Sequence, residues 1–141
     1  MLRQSITFIN GNGERETKDY YFNLTWLDYA RLEAKYVESE NQTLQDYINK
    51  ILENHQVNKT LALLEDIILS SYGEKSADGE RFVKSKEIRE NFSYSWAYAK
   101  LFEDLMEDPK KFETFTTKIL SKPMAEKKAH EEQISGTNVA S

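Results

Sequence analysis

The chain has 141 residues, 39% hydrophobic and 12% aromatic, which suffices for one domain with a modest apolar core. It contains no cysteine, and this excludes a disulfide framework, a thiolate nucleophile and a cysteine-ligated metal. The net charge of −5, dispersed among 30% charged residues, describes a mixed acidic surface that repels a phosphate backbone, so no nucleic-acid partner is expected.

From the N-terminus, residues 5–9 and 19–24 are β-branched or aromatic runs separated by Asn10, Gly11, Asn12 and Gly13, a turn-forming cluster. Ile6 and Phe8 alternate with Thr7, and Tyr20, Phe22 and Leu24 alternate with Tyr21 and Asn23. The spacing predicts a β-hairpin with one apolar face, which must lie on helices because a lone hairpin is marginal in water. No apolar leader precedes it and no apolar run reaches the length of a membrane span, so no membrane partner is expected.

Thr25 with Asp28, and Thr43 with Asp46, read as capping boxes that use aspartate in place of glutamate. They predict helices over 26–36 and 44–54. In the second, Leu44, Tyr47, Ile48, Ile51 and Leu52 follow the i, i+3, i+4, i+7, i+8 pattern of an amphipathic helix. The run from Leu61 to Leu69 is interrupted only by Glu65 and Asp66, too apolar for a helix facing one neighbour, and predicts a central core helix over 59–72. Gly73 is placed to end it in a left-handed conformation, and a turn through Ser76, Ala77, Asp78 and Gly79 follows.

Phe82 and Val83 form a short apolar touch-down, after which Ser85 and Ser95 are placed as N-caps. Helical segments are expected over 86–107, broken near 93–95, with Tyr98, Leu101, Phe102 and Leu105 on one face. Asp108 followed by Pro109 starts a last helix expected to reach residue 120, with Phe112, Phe115 and Ile119 on one side. Beyond Pro123 the periodicity fades, apart from helical character over 125–133, and residues 123–141 read as a mobile tail. The expected class is mainly α (α+β): a domain over 1–122 with about five helices and an N-terminal hairpin.

No active site emerges. His55 and His130 lie in a linker and in the tail without a partner pattern, and read as solvated residues. Glu74, Asp78 and Glu80 cluster at Gly79 but lack the alternating ligands of a calcium loop. Glu65 and Asp66 are adjacent and solvent-facing, so they do not form a catalytic pair. No catalytic, cofactor-binding or metal-ligating residues are assigned, and no enzyme activity is expected. Among the aromatics, Trp96, Tyr98, Phe112 and Phe115 are the candidates for a groove that receives an apolar helix of a protein partner.

The ordered run Ser71, Tyr72, Gly73, Lys75, Ser76, Asp78, Gly79, Arg81, Phe82, Lys84, Ser85, Glu87, Phe92, Ala97, Tyr98, Leu101 and Phe102 resembles the tail assembly chaperones of long-tailed bacteriophages. The resemblance is strongest over residues 64–108, and Phe22 to Thr25 looks similar at the matching distance upstream. It implies a protein that acts in the host cytoplasm, coats the aggregation-prone tape measure protein, promotes tail tube subunit polymerisation around it, and leaves the finished tail. It also implies a second, longer product made by frameshifting, whose extension contacts the tail tube protein. The alternative is a phage adaptor that uses the same scaffold to bind a host or other phage protein.

Overall fold

The computed structural model describes residues 1–39 and 41–140. The elements in chain order are β1 (Leu2–Ile9), β2 (Arg15–Phe22), α1 (Trp26–Tyr36), α2 (Leu44–Glu53), α3 (Val57–Ser71), β3 (Tyr72–Lys75), β4 (Phe82–Val83), α4 (Lys86–Ser93), α5 (Trp96–Glu107) and α6 (Pro109–Ala140). The protein is therefore mainly helical with a small antiparallel sheet of strand order β1-β2-β3-β4. Two compact units form: one from residues 1–23 and 68–119, the other from residues 24–67 and from 120 onward.

In the first unit the hairpin forms as patterned, with Leu2 opposite Phe22 and Ile9 opposite Arg15. Its strands are longer than the apolar runs, because polar cross-strand pairs such as Thr7 with Thr17, bonded through their hydroxyls at 2.8 Å, extend the ladder. In the turn, Asn10 Oδ1 accepts from the N–H groups of Asn12 and Glu14, and Gly13 takes a φ of 79°.

The sheet does not stop at the hairpin. Tyr72 and Gly73 pair with Phe22 and Tyr21, and Glu74 and Lys75 pair with Val83 and Phe82. The expected left-handed glycine cap at Gly73 is thus replaced by a strand that begins directly after Ser71. Helix α3 can end without a cap because long-range donors satisfy its last carbonyls. Lys84 Nζ donates to Ser70 O at 3.1 Å and to Asn23 O at 3.1 Å, and the Asn23 N–H donates to Ser71 O at 2.7 Å.

The local caps are as the sequence sets them. Asp28 N–H donates to Thr25 Oγ1 and Asp46 N–H to Thr43 Oγ1, each at 3.1 Å, with the aspartates returning bonds to the threonine N–H groups. Ser85 and Ser95 cap α4 and α5 through Ile88 N–H and Tyr98 N–H. Along α3, Leu63, Leu64, Ile67 and Ile68 are fully buried while Leu61 and Leu69 are half-buried, so the apolar run resolves into one broad stripe with polar margins.

In the second unit Asp66 is not a free surface carboxylate as its position beside Glu65 suggested. It accepts from Lys35 Nζ at 2.7 Å and from the Tyr36 hydroxyl. Tyr29, Leu32, Leu44, Ile48 and Ile51 are buried here.

The largest shift of a boundary is at the C-terminus. The last helix, expected to end near residue 120, continues through Pro123 to Ala140, so the segment read as a tail is helical over 123–140. An interior proline costs a helix about 3 kcal/mol. Tertiary contacts oppose that cost: Lys127 Nζ bonds Glu33 Oε1 at 2.8 Å, and His130, though exposed, stacks on Trp26 with ring centroids 4.3 Å apart. The Ala, Glu and Lys content of residues 125–133 supplies the helix propensity.

Candidate partner-binding groove

Aromatic contacts run through the first unit. Tyr72 stacks on Phe92 with ring centroids 3.9 Å apart and planes 10° from parallel. Phe92 meets Tyr98 edge-on at 5.5 Å, and Tyr98 meets Phe102 at 5.1 Å. Phe22 contacts Tyr72, Phe92 and Phe115. Such tilted and offset pairs contribute about 0.5–1.5 kcal/mol each beyond the area they bury. Burial first, then the Glu74 carboxylate and Tyr20, push the Tyr72 phenol up to about 12.

The link between β3 and β4 is a closed polar turn. Ser76 Oγ donates to Asp78 Oδ1, which also accepts from Glu80 N–H, while Arg81 N–H donates to Ser76 Oγ. These bonds hold the Asp78 carboxyl below its ordinary range, the Ser76 hydroxyl most of all. Gly79 takes a φ of 74°, which favours glycine. Among the described residues no cluster of three or more metal-ligating side chains forms.

Between β1, α5 and the first turns of α6 lies an open groove of about 1070 Å3. Ile6, Phe8, Leu101, Leu105 and Phe115 supply its apolar lining, all of them largely buried. Trp96 stands beside the hairpin turn, so close that a Cβ on Gly11 would lie 3.2 Å from Trp96 Nε1. It is nonetheless 60% exposed, and Ile9, which also lines the groove, is 57% exposed. The charged lining is unbalanced. Lys100 is held by Asp104 at 3.0 Å and Glu103 at 4.0 Å, whereas Arg15, Lys110, Lys111 and Lys118 form no ion pair among the described residues.

The family model for the phage tail assembly chaperone matches residues 1–140. The chain belongs to that family. No curated protein and no solved structure matches it.

In this chaperone the residues that carry the family resemblance, Tyr72, Gly73, Asp78, Gly79, Phe82, Phe92, Tyr98 and Phe102, all fall in one unit. They build the strand junction, the turn and the aromatic contacts. Of the four aromatics expected to form a groove, the fold brings Trp96 and Phe115 into it. Tyr98 packs instead between Phe92 and Phe102, and Phe112 is 3% exposed within the core.

The basic lining is a feature that sequence reasoning missed. Lys111, Thr114, Phe115 and Lys118 recur at helical spacing on the chaperone's α6, a signal present in the chain but masked by Glu113 between them. Arg15 joins them only through the hairpin, which no local pattern encodes.

Proposed function

We propose that this chain binds the tape measure protein, keeps that long helical client soluble, promotes polymerisation of tail tube subunits around it, and is released from the finished tail. Family membership supports the assembly role, and the observation that carries the contact is the exposed Trp96 beside Ile9 at a groove with an apolar lining. Tryptophan is among the side chains enriched at the energetic hot spots of protein–protein contacts. The tail tube protein is the second partner, reached directly or through a longer frameshifted product.

The work is done in the host cytoplasm and involves masking rather than chemistry. Covering apolar surface on an aggregation-prone client removes the patches through which it would self-associate. Each contact must be weak enough for the growing tube to displace, and many copies along one long client give avidity without a tight single site. No described helix is long and apolar enough to cross a membrane.

Co-expression with the tape measure protein from the same genome tests this reading. The client is expected in the soluble fraction and to co-purify with the chain, and Trp96→Ala is expected to weaken capture while leaving the fold intact. A client that stays insoluble with both the short chain and any longer product would overturn it.

A further inference from the structure

The groove has a wall that a receptor for an apolar helix does not need: the outer edge of a strand. Because β1 is the first strand of the sheet, its outer edge has no strand partner among the described residues. The N–H of Asn10 donates to Glu14 O across the hairpin at 2.8 Å. Alternation along an antiparallel strand then turns the N–H and C=O groups of Ser5, Thr7 and Ile9 away from β2. Every residue from Gln4 to Ile9 lines the groove, as it must if the edge itself, and not one face of the strand, forms the wall.

We infer that the groove takes an extended, acidic segment of a protein partner that adds as a strand to β1. Its carboxylates would face Arg15, Lys110, Lys111 and Lys118, which form no ion pair among the described residues, and an apolar side chain would lie against Ile9 and Trp96. Main-chain hydrogen bonds to the edge supply affinity in this mode, while alternate side chains select the sequence. This cationic cluster lies on a chain of net charge −5, so it is a local feature of the groove and not of the whole surface. A nucleic-acid strand fits poorly, since its backbone carries no alternating N–H and C=O groups to pair with the edge of β1. The inference deepens the proposed function by giving the chemistry of the bound segment, and it rests on that reading only for the identity of the partner.

The test uses the full chain and a labelled synthetic peptide of about eight residues, long enough to span the edge, in which glutamate alternates with valine and leucine. The peptide is expected to bind with a strong salt dependence, to slow hydrogen exchange at the outward amides of Ser5 and Thr7, and to bind about tenfold more weakly to the combined Lys110→Glu, Lys111→Glu, Lys118→Glu variant. These lysines are exposed, so the variant keeps its fold, which circular dichroism checks. No binding, or equal binding by a peptide with lysine in place of glutamate or by a single-stranded oligonucleotide, would overturn the inference. Equal binding by a version interrupted with proline would overturn it too, because proline cannot complete the strand ladder. If the wild-type chain binds the peptide yet neither it nor any longer product solubilises the tape measure protein, the proposed function falls and this inference stands.

Discussion

Gly73 lies directly beneath the ring of Phe82: a Cβ at Gly73 would come within 2.6 Å of Phe82 Cε2 and 2.8 Å of the Val83 carbonyl oxygen. The need for glycine here is close approach within a strand, and the obstacle includes backbone that cannot swing aside. Gly73→Ala should destabilise the protein by about 1–3 kcal/mol through overpacking. Urea denaturation would show this as a lowered midpoint with an unchanged slope, and Phe82→Leu should relieve only part of it because the Val83 oxygen stays in place.

Two aromatics that look alike in the sequence should behave in opposite ways. Phe112 is buried, and Phe112→Ala is expected to cost about 3–5 kcal/mol. Trp96 is mostly exposed, and Trp96→Ala should change stability by less than about 0.5 kcal/mol while reducing partner capture. Thermal melts of both variants beside client co-purification separate the two roles.

Tyr72 should make the fold sensitive to alkali. Its phenol has an ordinary value of 10.0 and is raised to about 12 in the folded protein, first by burial and then by Glu74 and Tyr20. The folded state therefore holds a proton that the unfolded state releases between those values. Stability is intact below pH 10 and declines as pH rises through the folded value, by about 1.4 kcal/mol for each unit of the difference. Tyr72→Phe should leave stability at pH 7 nearly unchanged and make the decline between pH 10 and 12 shallower. Urea midpoints measured at pH 8, 10 and 11.5 would reveal an unchanged slope with pH if the phenol plays no part.

Lys84 is bonded to two main-chain carbonyls, Ser70 O at the end of α3 and Asn23 O just after β2. Lys84→Met keeps the aliphatic stem and removes the donor. It should destabilise by about 1–2 kcal/mol, as expected for losing charge-assisted hydrogen bonds to partly buried carbonyls. Hydrogen exchange should accelerate locally at the α3–β3 junction, and a uniform change across the chain would count against the assignment.

Much of the local structure was legible because its causes are local. Thr25 with Asp28 and Thr43 with Asp46 satisfy helix-end donors a few residues away, and helix α1 begins and ends where the sequence places it. Ser95 divides the aromatic segment into two helices for the same reason. The family resemblance was also legible, since the order of Tyr72, Gly73, Asp78, Gly79 and Phe82 records the demands of one strand–turn–strand element.

What the sequence by itself determined, then, was the mainly helical class, the hairpin, most of the helix boundaries and the kinship to a family of assembly chaperones. Only the tertiary structure decided that Gly73 enters a strand instead of ending a helix, because Lys84 and Asn23 supply donors to carbonyls far from them in the chain. Distant contacts likewise accompany α6 beyond Pro123, where Lys127 meets Glu33 and His130 meets Trp26. Distance along the chain also hid the groove: β1, α5 and α6 place Ile9, Trp96 and Lys118 on one surface, and no periodicity within any one element encodes that meeting.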